Sequence, residues 1–233
     1  MARQQKSDAA RRSSLAGSEL MLFKNADRNV IASDPHGVTA ESIHVLRGRV
    51  QSQHIQAGRR ALAICGPTSE VGCTFIAVNL AVALAQIGVK TLLVDGNLRL
   101  PAVHTYFEPE LTGGGLYECL VSPGEPVTEF IHEGVFRNLD VMSAGRPPRT
   151  AHGLLSGESF PELVNMFMRD YDIVIIDTPP ANGSVDALRI STVAGFSLIV
   201  TRKSRTLVSD TKVLINLLNE ERVTTIGTVL NSY

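Results

Sequence analysis

The segment Cys65-Gly66-Pro67-Thr68-Ser69-Glu70-Val71-Gly72-Cys73-Thr74 has the frame of a loop that holds phosphates. In such a loop, backbone N–H groups and the start of the following helix cradle the anion. A Ser or Thr hydroxyl ligates Mg²⁺, and a lysine reaches the β- and γ-phosphates. Gly66, Gly72 and Thr74 occupy their places, but Cys73 stands where the lysine belongs. Two carboxylates match the loop: Asp177 closes the apolar run Ile173-Val174-Ile175-Ile176, and Asp95 closes Thr91-Leu92-Leu93-Val94. A strand-end aspartate either caps the next turn or holds Mg²⁺ or its water, and the phosphate loop upstream favours the metal. The second carboxylate can orient that water or accept a proton. The chemistry predicted is magnesium-dependent handling of a nucleotide, or a relic of such a site, without the cation that most directly neutralises a transferred phosphoryl group.

Those side chains need a scaffold, and the hydrophobic pattern supplies one. Apolar runs at 61–65, 91–95, 139–143, 173–177, 197–201 and 225–230 alternate with helical patterns, beginning with Phe75 to Gln86 after the loop. Near-continuous Val/Ile/Leu runs separated by helices mean strands buried on both faces. The fold predicted is α/β, a doubly wound and mainly parallel sheet, in which ligands bind outside the carboxyl ends of the strands. A further helix is expected from Thr39 to Gln53, with Thr39 as its cap and Ile43, Leu46 and Val50 at helical spacing.

Composition narrows the class of protein. At 233 residues, 44% hydrophobic and 19% charged, the chain suits one domain over residues 36–233 and a flexible arm over residues 1–35. A net charge of -1 argues against generic nucleic-acid binding, and no run approaches a membrane span. Cys65, Cys73 and Cys119 have neither paired parity nor metal-ligand spacing, and with no secretory signal visible the expectation is a cytoplasmic protein.

The ordered set of motifs resembles the bacterial tyrosine kinases (BY-kinases) of capsule and exopolysaccharide synthesis, P-loop NTPase relatives of MinD and ParA. The resemblance covers roughly residues 37 to 231. It rests on the loop 66–74 as Walker A, Val94-Asp95-Gly96-Asn97-Leu98-Arg99 as the A′ motif, and Ile176-Asp177-Thr178-Pro179-Pro180 as Walker B. Further matches are Glu41-Ser42-Ile43-His44-Val45-Leu46-Arg47, Asn138 to Gly145, Val185-Asp186-Ala187 and Val229-Leu230-Asn231. The resemblance implies Mg with ATP or ADP held through Gly66, Gly72, Cys73, Thr74 and Asn231, and metal ligation by Thr74, Asp95 and Asp177. Asp95 is the catalytic residue if the protein is active. Glu41, His44 and Arg47 become contacts of a possible homo-oligomer. The implied partner is an inner-membrane polysaccharide co-polymerase or chain-length protein, which places this chain peripherally at that membrane.

Four departures fall where the family's activity lies. The Walker A lysine is Cys73, the second A′ carboxylate is Asn97, the first arginine of the contact helix is His44, and the tyrosine cluster of the tail is reduced to Tyr233. An amide cannot accept a proton as a carboxylate does. A missing cationic group in such a site costs on the order of 10³ in rate. The expectation is a pseudokinase that binds nucleotide weakly, the alternatives being a residually active autokinase or ATPase and a MinD/ParA-like positioning ATPase. Lys203, beside Arg202 after a strand, is a better substitute cation than Lys90, which precedes one. Cys73 is either an inert filler or a reactive helix-start thiolate, metal binding ranking below both.

Overall fold

A computed structural model describes residues 29–107, 111–147 and 153–232. Seven strands form one sheet in the order β3-β4-β2-β5-β1-β6-β7. They are β1 (Ala61–Cys65), β2 (Thr91–Asp95), β3 (His132–Phe136), β4 (Leu139–Met142), β5 (Ile173–Asp177), β6 (Phe196–Arg202) and β7 (Thr224–Asn231). Every pairing is parallel except β3 with β4. β1, β2 and β5 are buried at every position, as their unbroken aliphatic runs require of a sheet covered on both faces.

The helices are α1 (Val30–Ser33), α2 (Val38–Val50), α3 (Cys73–Gln86), α4 (Leu116–Val121), α5 (Ser159–Asp170), α6 (Val185–Ala194) and α7 (Val208–Glu220). One core joins α2 and α3 to a sheet face; the other packs α5, α6 and α7 against the opposite face. Helix α3 is buried at every position from Ile76 to Ala85, between the sheet and α2. A helix apolar all round is a buried one, and the phosphate loop runs directly into its first turn.

After β1 the chain moves two places along the sheet to β2, then later returns to β6 on the other side of β1. That reversal opens a crevice at the carboxyl end of β1, the expected ligand site of a doubly wound sheet.

The structure departs from the sequence reading in several places. Strand β3 was not foreseen. The second helix starts at Val38, with Gly37 rather than Thr39 at its cap, and after Val50 it widens into a π-turn over Gln51–Ile55. Residues Val30–Ser33, counted above in the arm, form a turn of helix with Ile31 fully buried. The rest of the arm, residues 1–28, lies outside the described residues, as does Tyr233.

Candidate functional site

The phosphate loop leaves β1 and turns into α3 through Gly72, at φ 100°. That left-handed conformation costs an L-residue roughly 1–2 kcal/mol and a glycine nothing, which explains the residue type. Gly66 serves close packing. A Cβ there would collide with a Val71 methyl and sit 2.8 Å from Cys73 Sγ. The Cys73 sulfur is thus folded back against the base of the loop.

Glu70 also adopts a left-handed backbone, with φ 59°. Two arginines hold it there. Arg205 Nη1 meets its carboxylate at 2.7 Å, and Arg202 Nη1 donates to its carbonyl at 3.0 Å. Asn231 Nδ2 adds a 3.0 Å bond to the Val71 carbonyl. Contacts from β6, β7 and the turn between β6 and α7 therefore shape the loop.

Thr74 Oγ1 donates a 2.6 Å hydrogen bond to Asp177 Oδ2. Asp177 Oδ1 is buried and has no hydrogen-bond partner among the described residues. Burial, then the charge of Asp95, pushes the Asp177 carboxyl well above the usual carboxylate range, and the Thr74 bond only partly offsets them. Asp95 faces Asp177 directly across the β2–β5 pairing. Its own carboxylate is turned to the chain that follows: Oδ1 accepts from Asn97 N, and Oδ2 from Ala102 N and Val103 N, at 3.0–3.1 Å. Burial raises Asp95 too, against the lowering effect of those donors. The orphaned oxygen of Asp177 beside the Thr74 hydroxyl makes an oxygen-only donor pair that suits Mg²⁺, while Asp95, its oxygens taken by backbone donors, adds negative charge next to it.

A cleft of about 830 Å³ opens beside Thr74, lined by Thr68 to Phe75, Asn97, Tyr106, Pro180 and Arg202 among others; Asp95 and Asp177 are fully buried beneath it and do not line it. Cys73, Thr74 and Gly72 of the expected nucleotide-binding set face it, whereas Asn231 lines a different groove and meets this site only through the loop carbonyl. Burial, followed by the charges of Asp177 and Cys65, raises the Cys73 thiol well above its ordinary value. That direction runs against a thiolate and favours the sulfur as a filler, although the residue is only partly buried.

The side chain that reaches the cleft after β6 is Arg202, not Lys203. Alternation along the strand separates the two, a signal present in the sequence. Lys90 lies at the opposite end, its ammonium 4.8 Å from the Tyr171 ring centroid. Arg99 of the A′ segment bonds Asp186 at 2.9 Å, and Ser184 bonds the same carboxylate oxygen at 3.0 Å, so two separate motifs are joined beside the site. On α2, Glu41 is exposed, and Arg47 Nη1 lies 3.2 Å from His44 Nδ1.

A phosphate-type loop at the switch point of a mainly parallel sheet, closed by a Thr–Asp pair, defines a P-loop nucleotide-binding fold. Residues 60–220 match the family model described as AAA domain. Tyrosine-protein kinase YwqD of Bacillus subtilis is 33% identical over 180 residues, covering 77% of this chain and 75% of that protein. The kinase domain of Escherichia coli tyrosine kinase ETK superposes with a TM-score of 0.80 at 28% identity, over 87% of this chain and 79% of that one. The chain belongs to the bacterial tyrosine kinase family. MinD of Pyrococcus horikoshii, solved with Mg-ADP, shares the fold at a TM-score of 0.60 and 21% identity, over 73% of this chain and 69% of that one. The chain spans 26–28% of the length of several longer curated relatives.

Proposed function

We propose that this protein is a pseudokinase: a nucleotide-binding regulator of exopolysaccharide or capsule synthesis that works through an inner-membrane co-polymerase and transfers little or no phosphate. The observation that carries this reading is Cys73, a neutral sulfur packed against Gly66 where the family's lysine would reach phosphate. Losing one charge-assisted hydrogen bond of about 1.5–3 kcal/mol weakens triphosphate binding about 10- to 100-fold. Asn97 removes a carboxylate from the same site; its Oδ1 accepts from Leu100 N at 3.1 Å.

Magnesium chemistry, when the ion is bound, supplies charge neutralisation for the phosphates. Thr74 and Asp177 are the residues that would hold it, with Asp95 fixing the 97–103 segment and the local negative charge. Backbone donors of the loop bind phosphate oxygens, and Arg202, in the cleft wall, adds a cation. Weak Mg-ADP or Mg-ATP binding without efficient turnover follows.

His44 replaces an arginine fork on α2 with a ring whose Nδ1 serves as an acceptor for Arg47, which weakens self-association and favours a heteromeric contact. The second reading, a residually active autokinase or ATPase, is favoured by Arg202 at the cleft as a substitute cation. Complementation of a gene deletion separates the two. Cys73→Ala should restore polysaccharide length nearly as well as the parent chain under the regulator reading. A requirement for ATP turnover together with intact Asp95 and Asp177 would establish the enzyme instead.

A further inference from the structure

A second cavity, about 880 Å³, runs between α2 and the edge strand β7, away from the phosphates. Its helix wall is Ser42, Val45, Leu46 and Arg49, a stripe distinct from Glu41, His44 and Arg47; its other wall is the whole length of β7. β7 pairs with β6 alone, so among the described residues its outer edge has no strand beside it. An edge strand presents a row of backbone N–H and C=O groups that template another strand. β7 reads Thr-Thr-Ile-Gly-Thr-Val-Leu-Asn, which carries strong strand formers and none of the charges or prolines that usually block such an edge.

Polar groups in this cavity are incompletely matched. His54 is only 1% exposed and lines the groove. Its Nε2 bonds the Ala61 carbonyl at 3.1 Å, while its Nδ1 has no partner among the described residues. A ring bonded to a carbonyl through Nε2 donates there and keeps Nδ1 as an acceptor. Thr225 Oγ1, also in the groove wall, is a second buried polar atom with no partner among the described residues. The π-turn that carries His54 is a rare geometry that is frequent at functional sites.

The charge of the groove selects the occupant. Arg49 and Arg59 are the charged side chains lining it, and no carboxylate does. Arg59 lies 4.7 Å over the Phe196 ring, whose edge-on neighbour at 5.0 Å is His54. A second copy of this chain docked across a two-fold axis would set the same two cations against each other. An acidic segment neutralises them.

We propose that this groove docks an extended, β-branched peptide segment of a protein partner, carrying acidic side chains, which adds to the sheet as a strand beside β7. Main-chain bonds to the β7 edge give affinity, and Arg49 and Arg59 read the acidic positions, the usual division of labour in strand addition. The docking is independent of phosphoryl transfer and stands whether or not the nucleotide site turns over.

The test uses the full chain and a blocked, fluorescent heptapeptide, Val-Glu-Val-Thr-Val-Glu-Val, with a counterpart carrying lysine at both glutamate positions. Saturable binding of the acidic probe is expected, with about 10-fold weaker binding of the lysine probe and of the acidic probe to exposed Arg49→Glu. Hydrogen exchange should slow at residues 224–231. N-methylating alternate probe amides needs no variant of the protein: one alternate set should abolish binding and the other should spare it. The proposal is overturned by no binding at millimolar probe, by indifference to probe charge, by equal effects of both N-methyl sets, or by protection elsewhere. Concentration-dependent protection of 224–231 without probe, showing a second copy on the edge, overturns it as well.

Discussion

Thr74 and Asp177, 103 residues apart in sequence, are joined by a 2.6 Å hydrogen bond that leaves the second carboxylate oxygen of Asp177 buried and without a partner among the described residues. With Asp95 opposite it across the β2–β5 pairing, the acid is uncomfortable without a cation. Asp177→Asn should therefore raise the melting temperature of the nucleotide-free protein, by about 2–4 °C for each ~1 kcal/mol of repulsion relieved. The same variant should lose the stabilisation that Mg-ADP gives the parent chain. Scanning calorimetry with and without ligand at 5–10 times its Kd, about 1–1.4 kcal/mol of linkage, checks both signs. A variant less stable than the parent and still shifted by ligand would show that Asp177 does not face the metal.

Restoration of the missing groups should be cooperative. Cys73→Lys should tighten Mg-ATP binding about 10- to 100-fold while leaving turnover low. Cys73→Lys with Asn97→Asp should recover more hydrolysis than either change alone, because both groups serve one site. Steady-state phosphate release across the four proteins measures the coupling; additive independence counts against a shared site.

Arg202 and Lys203 are adjacent, and only the first lines the cleft. Arg202→Ala should weaken nucleotide binding about 10-fold by titration calorimetry, through lost charge and a loosened Glu70 carbonyl. Lys203→Ala should leave affinity within about twofold, since an exposed side chain outside the cleft contributes little. Equal losses would assign the cation wrongly.

Much of this geometry was legible beforehand. The aliphatic runs of β1, β2 and β5 are so continuous that burial on both faces was their only reading, and Asp95 and Asp177 followed as strand-end acids. β3 escaped because His132-Glu133-Gly134-Val135-Phe136 is an edge segment with mostly polar or exposed positions, set by a hairpin whose Asn138 has φ 63°. The orientation of Asp95 was hidden for a different reason: its three backbone donors come from a loop whose path depends on the folded sheet. Family likeness put Asn231 at the nucleotide, yet its amide is committed to the Val71 carbonyl, and only the register of β7 against β6 places it there.

Burial, partly offset by the Ala61 carbonyl and assisted by Arg59, holds the His54 imidazole below its ordinary value of 6.5. The folded state thus prefers the neutral ring. Its stabilising contribution is complete above pH 6.5 and is lost as pH falls from there through the folded-state value. His54→Gln should flatten the fall in stability below pH 6.5, measured by urea midpoints between pH 5 and pH 8. An unchanged slope would mean that His54 does not titrate with unfolding.

The most direct test of the central claim is incubation of the purified full chain with Mg-ATP, followed by intact-mass measurement and phosphotyrosine mapping. With Cys73 in the lysine position and Asn97 in the A′ motif, the expected result is no gain of phosphate on Tyr233 or any other tyrosine. Robust magnesium-dependent incorporation of phosphate on tyrosine, abolished by Asp177→Ala, would contradict the pseudokinase account.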